Sequence, residues 1–285
     1  METRQRTQMK FDLHNKVVII TGASSGIGAA SALAISKLGA KVVLASRNID
    51  KLNLVANKCT PKNNVLVVVT DISKESDCKN LIDKTVEHFG RLDALVCNAG
   101  KSMRGLVENT SVSVFRELMD VNFWGCLYCT QAAMPHLLKS RGMLVGVSSV
   151  SGFKSLAGRS GYSASKHALN GFLDCVKTEN LKTGVHVLTF CPGFTATDIR
   201  LNALNERGET QAETPRNEEK MMKPEEVAHK LCQSIQQKKD FVVLTKEGKI
   251  IYWLSKFVPN FISKKIFEEF AKEPNSPLRI QPLNE

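Results

Sequence analysis

The sequence predicts an α/β protein built on a single doubly wound parallel sheet with helices on both faces. Three observations carry that expectation. Strand-like and helix-like patterns alternate from residue 16 to about residue 245. The strand-like runs are apolar throughout rather than on alternate positions, and a glycine-rich turn sits directly between the first strand and its helix. Strands of that kind are buried on both faces, which in a parallel sheet requires helical cover above and below.

Each element has its own signal. Lys16–Thr21 reads as a buried strand from its run of Val and Ile. Gly26–Leu38 carries Ile27, Ala30, Ala34 and Leu38 at helical spacing, and Gly39 stops it. Val42–Ala45, Val65–Val69 and Ala94–Cys97 are the next three strands. Met143–Val147, Val185–Cys191 and Phe241–Leu244 complete the sheet. Helices are expected over roughly Asp50–Lys58, Glu75–Phe89, Val112–Leu138, Tyr162–Lys182 and Pro224–Gln237. Right-handed crossovers bring the C-terminal ends of all strands to one edge, where such sheets bind ligands.

With 285 residues, 42% hydrophobic and 24% charged, the chain can fill one large core, and no linker composition divides it. The expected organisation is a polar tail over 1–13, one domain over 14–247 with a long polar loop at about 194–222, and an amphipathic extension over 248–285. The first ten residues are polar and basic, and the longest apolar runs are strand-sized, so neither a signal peptide nor a spanning helix is expected. The eight scattered cysteines suit free thiols in a reducing cytosol, giving a cytoplasmic expectation. Cys126 and Cys129 form a lone C-x-x-C without the second pair or histidine cluster of a metal site, so no metal is expected. The formal charge of +11 is spread along the chain with no aromatic–basic recognition module, which argues against nucleic acid. It favours anionic ligands instead.

The turn after the first strand reads Thr21-Gly22-Ala23-Ser24-Ser25-Gly26-Ile27-Gly28. Gly22 permits a tight turn, Gly26 lets a pyrophosphate approach the backbone, and Gly28 allows close helix–strand contact. The helix N-terminus behind it offers free N–H groups and a positive dipole end to phosphates. Tyr162 and Lys166 stand i and i+4 on a helix, so they share a face. An ammonium beside a phenol favours the phenolate and brings the tyrosine toward acid–base work near neutral pH. Ser149, at the end of the fifth strand, could donate to a substrate oxygen as charge grows there.

The spacing G-x-x-x-G-x-G resembles that of the short-chain dehydrogenase/reductase family. The resemblance extends to Asp71, Asn98-Ala99-Gly100, Asn122, Ser149, Tyr162-x-x-x-Lys166 and Pro192-Gly193, in the family's order, and covers about residues 14–245. It implies a Rossmann-like fold and hydride transfer between a nicotinamide and a carbonyl or secondary alcohol, with Tyr162 as proton donor or acceptor. It implies that Ser149 is the serine of the set rather than Ser148, that Lys166 also holds the nicotinamide ribose, and that Asn122 holds a water relaying protons to Lys166. Ser24, Ser25 and Ile27 would meet the pyrophosphate, Asp71 and Ile72 would frame the adenine, and Thr195 and Thr197 would follow Pro192-Gly193 along the cofactor. Homodimers or homotetramers through the two long helices are the family's habit. Cys97 departs from the pattern, standing where many members carry an asparagine.

Strand two bears on the cofactor. An NAD-binding sheet of this kind usually ends its second strand with a carboxylate for the ribose 2′-hydroxyl. Here Ser46 and Arg47 stand there, with nothing to repel a 2′-phosphate and a guanidinium to meet it, so NADP(H) is expected.

Other readings are weaker. Gly146-Val147-Ser148 begins like a hydrolase nucleophile elbow, but Val150 replaces the glycine that the motif needs. A non-catalytic NADP(H) sensor or scaffold would have lost part of the Asn122, Ser149, Tyr162, Lys166 set, and a β-ketoacyl thioester reductase would stop soon after the last strand. His167 follows Lys166 and points away from the Tyr162 face. The loop with Asp198, Arg200, Asn202, Asn205, Glu206 and Arg207 is long enough to close over a bulky substrate, lipid- or steroid-like.

Beyond Gly248 the apolar positions Ile250, Ile251, Tyr252, Trp253, Leu254, Phe257, Val258, Phe261, Ile262, Ile266, Phe267 and Phe270 recur at helical spacing, divided by Pro259 and interleaved with lysines. Two expectations follow. The segment packs on the domain or a partner subunit beside the substrate cleft, or it makes peripheral contact with an anionic membrane.

Overall fold

The computed structural model describes residues 10–211 and 221–278. Its centre is a seven-stranded parallel sheet in the order β3-β2-β1-β4-β5-β6-β7. The strands are β1 (Val17–Thr21), β2 (Lys41–Ser46), β3 (Val65–Val69), β4 (Ala94–Cys97), β5 (Met143–Val147), β6 (His186–Cys191) and β7 (Phe241–Val243). Ile20 of β1 lies level with Leu44 on one side and Val96 on the other. The order reverses between β1 and β4, which opens a crevice at the strands' C-terminal ends.

Alternate strand residues feed two cores. Val18, Ile20, Val42 and Leu44 bury against Ala32 and Ile35 of α1 (Gly26–Lys37), Leu52 of α2 (Ile49–Ala56) and Leu231 and Ile235 of α7 (Pro224–Gln236). Val17, Ile19 and Val43 face the other way, onto Leu81 of α3 (Glu75–Phe89), Cys129 and Leu137 of α5 (Gly125–Ser140), and Leu169 and Leu173 of α6 (Ser160–Glu179). The doubly wound expectation is met, and the fully apolar strands are its physical cause.

The expected single helix over Val112–Leu138 is a correction. It is α4 (Val112–Met119), a π-helical turn over Asp120–Trp124, and then α5. Apolar periodicity does not register one extra residue in a turn, yet such bulges are often found at functional sites. Here the bulge carries Asn122. Elsewhere the expected bounds move by one to three residues, as hydrogen bonding at helix ends decides: Asn48 caps α2 by accepting from Lys51 N at 2.9 Å, and α6 begins at Ser160.

The extension forms α8 (Lys246–Phe257) and α9 (Pro259–Ala271), divided at Pro259 as its missing N–H dictates. Helix α8 starts two residues before the expected boundary because the Thr245 hydroxyl caps it, accepting from Gly248 N at 3.0 Å. Ile262, Ile266 and Phe270 of α9 bury against Leu156, together with Ile251 and Leu254 of α8. No helix among the described residues is long and apolar enough to cross a membrane.

Candidate active site

The glycine turn is built as its sequence requires. Gly22 has φ +65°, and a Cβ there would stand 2.8 Å from Ala99 Cα. A Cβ on Gly28 would come within 2.1 Å of the Gly22 carbonyl oxygen, so any side chain would force helix α1 off the turn. Asn98 locks the turn to the end of β4: its Nδ2 donates to Thr21 O at 2.9 Å, while the backbone N–H groups of Asn98 and Ala99 donate to Thr21 Oγ1 at 3.0 and 3.1 Å. Asn98 therefore braces the cradle from behind.

A single cleft of about 850 Å³ runs across the crevice, at the upper end of the ~300–1,000 Å³ usual for ligand sites. Every residue expected at a cofactor or catalytic position lines it, except Asn122. One end is formed by Ser46, Arg47, Asp71 and Ile72, the middle by the glycine turn with Asn98, Ala99 and Gly100, and the other end by Ser149, Tyr162 and Lys166. Pro192, Gly193, Thr195 and Thr197 close one side, with the Thr197 side chain packed over Gly26.

At the Arg47 end, burial acts to raise the Asp71 carboxyl. Hydrogen bonds from the Ser73 hydroxyl (2.7 Å) and N–H (3.1 Å), with the charges of Arg47 and Lys74, outweigh it and hold Asp71 below the usual range. Lys51 and Asn48 also line this end and had not been expected there. The cleft end thus carries two cations where the sequence suggested one.

At the other end, Lys166 is almost fully buried, and its Nζ donates to Val147 O at 2.9 Å. Burial drives its pKa down to about 8, with the thiols of Cys126, Cys191 and Cys97 pulling weakly the other way. Burial pushes the Tyr162 phenol up, while a hydrogen bond from Ser149 and the positive charge of Arg159 draw it back. The phenol is therefore protonated at neutral pH, ready to give a proton. The positive charge of Arg159, three residues before Tyr162, acts on the phenol alongside Lys166 on the same helix. Lys166 Nζ lies 6.0 Å from the phenol ring.

Asn122 is buried behind the cleft. Its Oδ1 accepts from Lys101 N at 2.8 Å, and its Nδ2 donates to Lys101 O and Ser165 Oγ, each at 2.9 Å. These bonds pin the β4–α4 loop against α6. His167 is exposed, with Nδ1 2.8 Å from Ser163 O, away from the cleft as expected.

Of the long loop, Asp198, Arg200 and Asn202 line the cleft, joined by Phe194, Ile199, Leu204 and Thr210. Asn205, Glu206 and Arg207 do not. Asn205 Oδ1 instead caps a turn by accepting from Arg207 N (2.9 Å) and Glu209 N (3.0 Å), and Glu206 accepts from Leu106 N at 3.1 Å. The part of the loop over 212–220 lies outside the described residues. The wall near Tyr162 also includes Ser102, Leu156 and Arg159, none of which the sequence had singled out. No cluster of described residues could hold a metal ion.

A dinucleotide crevice with a serine, a tyrosine and a lysine at one end defines an oxidoreductase of the Rossmann-like class, and the comparisons agree. The short chain dehydrogenase family matches residues 16–208, so the chain belongs to the short-chain dehydrogenase/reductase family. It is 34% identical over 280 residues to 11-beta-hydroxysteroid dehydrogenase A of Sesamum indicum, covering 95% of this chain and 80% of that one. It is 33% identical over 249 residues to dehydrogenase/reductase SDR family member 7B of Rattus norvegicus, with 85% and 77% covered. With the 11-beta-hydroxysteroid dehydrogenase-like 2 of Arabidopsis thaliana it shares 41% identity over 187 residues, 65% of this chain but only 60% of that relative. Among solved structures, the alcohol dehydrogenase of Thermococcus sibiricus complexed with 5-hydroxy-NADP superposes with a TM-score of 0.71 at 26% identity, over 80% of this chain and 95% of that one.

Proposed function

We propose that this oxidoreductase uses NADP(H) to interconvert a carbonyl and a secondary alcohol on a bulky, largely apolar molecule of lipid or steroid type. The observation that carries the cofactor reading is the pairing of Arg47 and Lys51 at the cleft end next to Ser46, where no carboxylate ends β2. The residues fit a dinucleotide: the Gly22–Gly28 turn leaves the backbone open to phosphates, and Arg47 and Lys51, which line the cleft with Ser46, would meet a 2′-phosphate. A relative named as a hydroxysteroid dehydrogenase and a neighbour holding an NADP analogue are in keeping with it.

When bound, a nicotinamide would supply or accept the hydride. In reduction, Ser149 donates to the substrate oxygen, and Tyr162, protonated in the resting site, delivers the proton as negative charge develops there. Lys166 would hold the ribose and offset the phenolate left behind. Asn122 fixes the loop and the helix between which a proton relay would run. Val150, Leu156, Phe194, Ile199 and Leu204 give the cleft mouth its apolar surface.

The expected result is tighter binding of NADPH than of NADH by about 1–3 kcal/mol, the range for hydrogen bonds to charged groups. Ser46→Asp combined with Arg47→Leu should reverse the order. Fluorescence titration of both cofactors, with turnover on steroid, ketoacyl and quinone substrates, checks this. Equal or tighter NADH binding by the unaltered chain refutes the cofactor assignment.

The extension supports peripheral docking on an anionic lipid surface. Its inner face is occupied by packing on Leu156. Its outer face exposes Ile250 (57%), Trp253 (59%), Phe257 (75%) and Phe261 (54%), grouped about the α8–α9 elbow. Lys246, Lys249, Lys256, Lys264 and Lys265 interleave with them. Inserted aromatics with lysines at the headgroups suit such a surface, each lysine contributing about 1 kcal/mol there. Truncation would uncover Leu156, so substitution is the better test. Trp253→Ser, Phe257→Ser and Phe261→Ser together should abolish sedimentation with phosphatidylserine vesicles while leaving the circular dichroism unchanged. A full-length protein that ignores anionic vesicles, or that binds neutral ones equally, refutes the docking. Self-association through α5 and α6 is the assembly we infer, since Trp124, at the turn leading into α5, is exposed and stacks on Tyr128 of α5 at 6.0 Å.

A further inference from the structure

Arg159 precedes helix α6, three residues before Tyr162, and both line the same end of the cleft. It is only 6% exposed. A buried guanidinium is costly unless held, and this one is held from two sides. Its Nη1 donates to Met103 O at 3.1 Å and Ser102 Oγ at 3.5 Å, and its Cζ lies 5.9 Å from the Phe270 ring centroid of α9. The β4–α4 loop and the segment after α9 are also joined beside it. Arg104 Nη2 donates to Pro274 O at 2.7 Å and pairs with Glu273 at 3.6 Å, both side chains buried. Gly105 N donates to Gly158 O at 2.9 Å. The chain's end therefore clasps the segment that leads into the tyrosine helix.

We propose that Arg159 is a positioning residue that holds a fixed positive charge against Tyr162, and that the C-terminal segment Phe270–Pro274 keeps it there. The proposal builds on the acid–base reading of Tyr162 given above. Other polar and charged groups on this side of the cleft are Lys166 on the same helix, Ser149 after β5, Cys191 at the end of β6, and Lys101, whose partner Glu117 lies outside the cleft. Asp198 and Arg200 on the substrate loop, and Arg104 with Glu273 on the clasp, complete the set. Met103, whose carbonyl oxygen holds the Arg159 guanidinium, also belongs to the apolar cluster that Tyr162 packs against, so the charge stands beside the tyrosine on the side that favours its phenolate. The sequence beyond the last strand would in this way tune an acid–base group held in the main domain.

The test reads Tyr162 ionisation directly. The chain has only three tyrosines, Tyr128, Tyr162 and Tyr252, so subtracting a Tyr162→Phe protein isolates its phenolate absorbance in stopped-flow pH jumps. Arg159→Gln keeps a donor for Met103 O and removes the charge; it should move the Tyr162 titration up by about one unit or more. Arg159→Lys should restore it, and Phe270→Ala should give a smaller shift of the same sign. In alcohol oxidation the acid limb of kcat/KM should move with the titration. An unmoved titration in folded Arg159→Gln, or an equal shift in Arg159→Lys, overturns the proposal. Because the absorbance needs no turnover, a chain inactive on every ketone would sink the functional reading and leave this test standing.

Discussion

Tyr162→Phe is expected to lower carbonyl turnover by about 10²–10⁴-fold, the usual consequence of losing an acid–base group. The substitution keeps the ring in its place at the cleft end and removes only the hydroxyl that Ser149 contacts. NADPH affinity should survive within a small factor, because the glycine turn and the Arg47 end of the cleft are untouched. Steady-state kinetics with a parallel binding titration separates the two effects. Retention of more than about a tenth of the rate is incompatible with Tyr162 as the proton donor, given the loss expected of such a group. Since burial outweighs the pull of Ser149 and Arg159 on the phenol, the first alkaline loss of reduction should come near pH 8, as Lys166 releases its proton, and Tyr162 should lose its own only at higher pH.

Lys166→Met should act in opposite directions on function and stability. If Lys166 serves a cofactor ribose and offsets the phenolate as proposed, removing its ammonium should lower both cofactor affinity and turnover, the latter by about 10²-fold or more. The cofactor-free protein, however, should gain stability. Burial holds the Lys166 pKa at about 8 against an ordinary 10.5, a penalty of about 3 kcal/mol at ~1.36 kcal/mol per unit. Loss of the bond to Val147 O returns about 1 kcal/mol, leaving a net gain near 2. The sign follows from proton counting. Between pH 8 and 10.5 the unfolded chain holds a proton that the folded one has released, so the wild-type protein becomes more stable as pH rises through that window. The penalty is complete below it. Urea denaturation should therefore show the advantage of Lys166→Met at pH 7 and its loss near the upper end of that window. A variant less stable than the wild type at pH 7 would contradict the argument, and the trade resembles that of other strained functional sites.

Much of the site was legible because its signals are local. A strand that is apolar on both faces, a turn that admits no Cβ, and a tyrosine and lysine one helical turn apart are each defined within a few residues. Three features were not legible in that way. Periodicity over 112–138 cannot show the π-helical turn that carries Asn122, since one extra residue leaves the apolar pattern almost unchanged. The loop residues Asn205 and Glu206 looked as suited to a substrate as Asn202, and hydrogen bonds to the backbone at Arg207, Glu209 and Leu106 turn them elsewhere. Arg159 stands close to Tyr162 in the sequence, just before α6, but what holds it lies far along the chain in both directions, at Met103 and at Phe270.

The sequence by itself determined the sheet, the phosphate turn and the chemical identity of the groups at the cleft, because strand burial and glycine stereochemistry depend on short stretches of chain. Only the tertiary structure decided which cations stand beside the phenol, how deeply Lys166 is buried, and which faces of the last two helices are covered. Those properties come from desolvation and contact between segments far apart in the chain. The free energy of a buried charge is set by everything that surrounds it, and no local pattern encodes that.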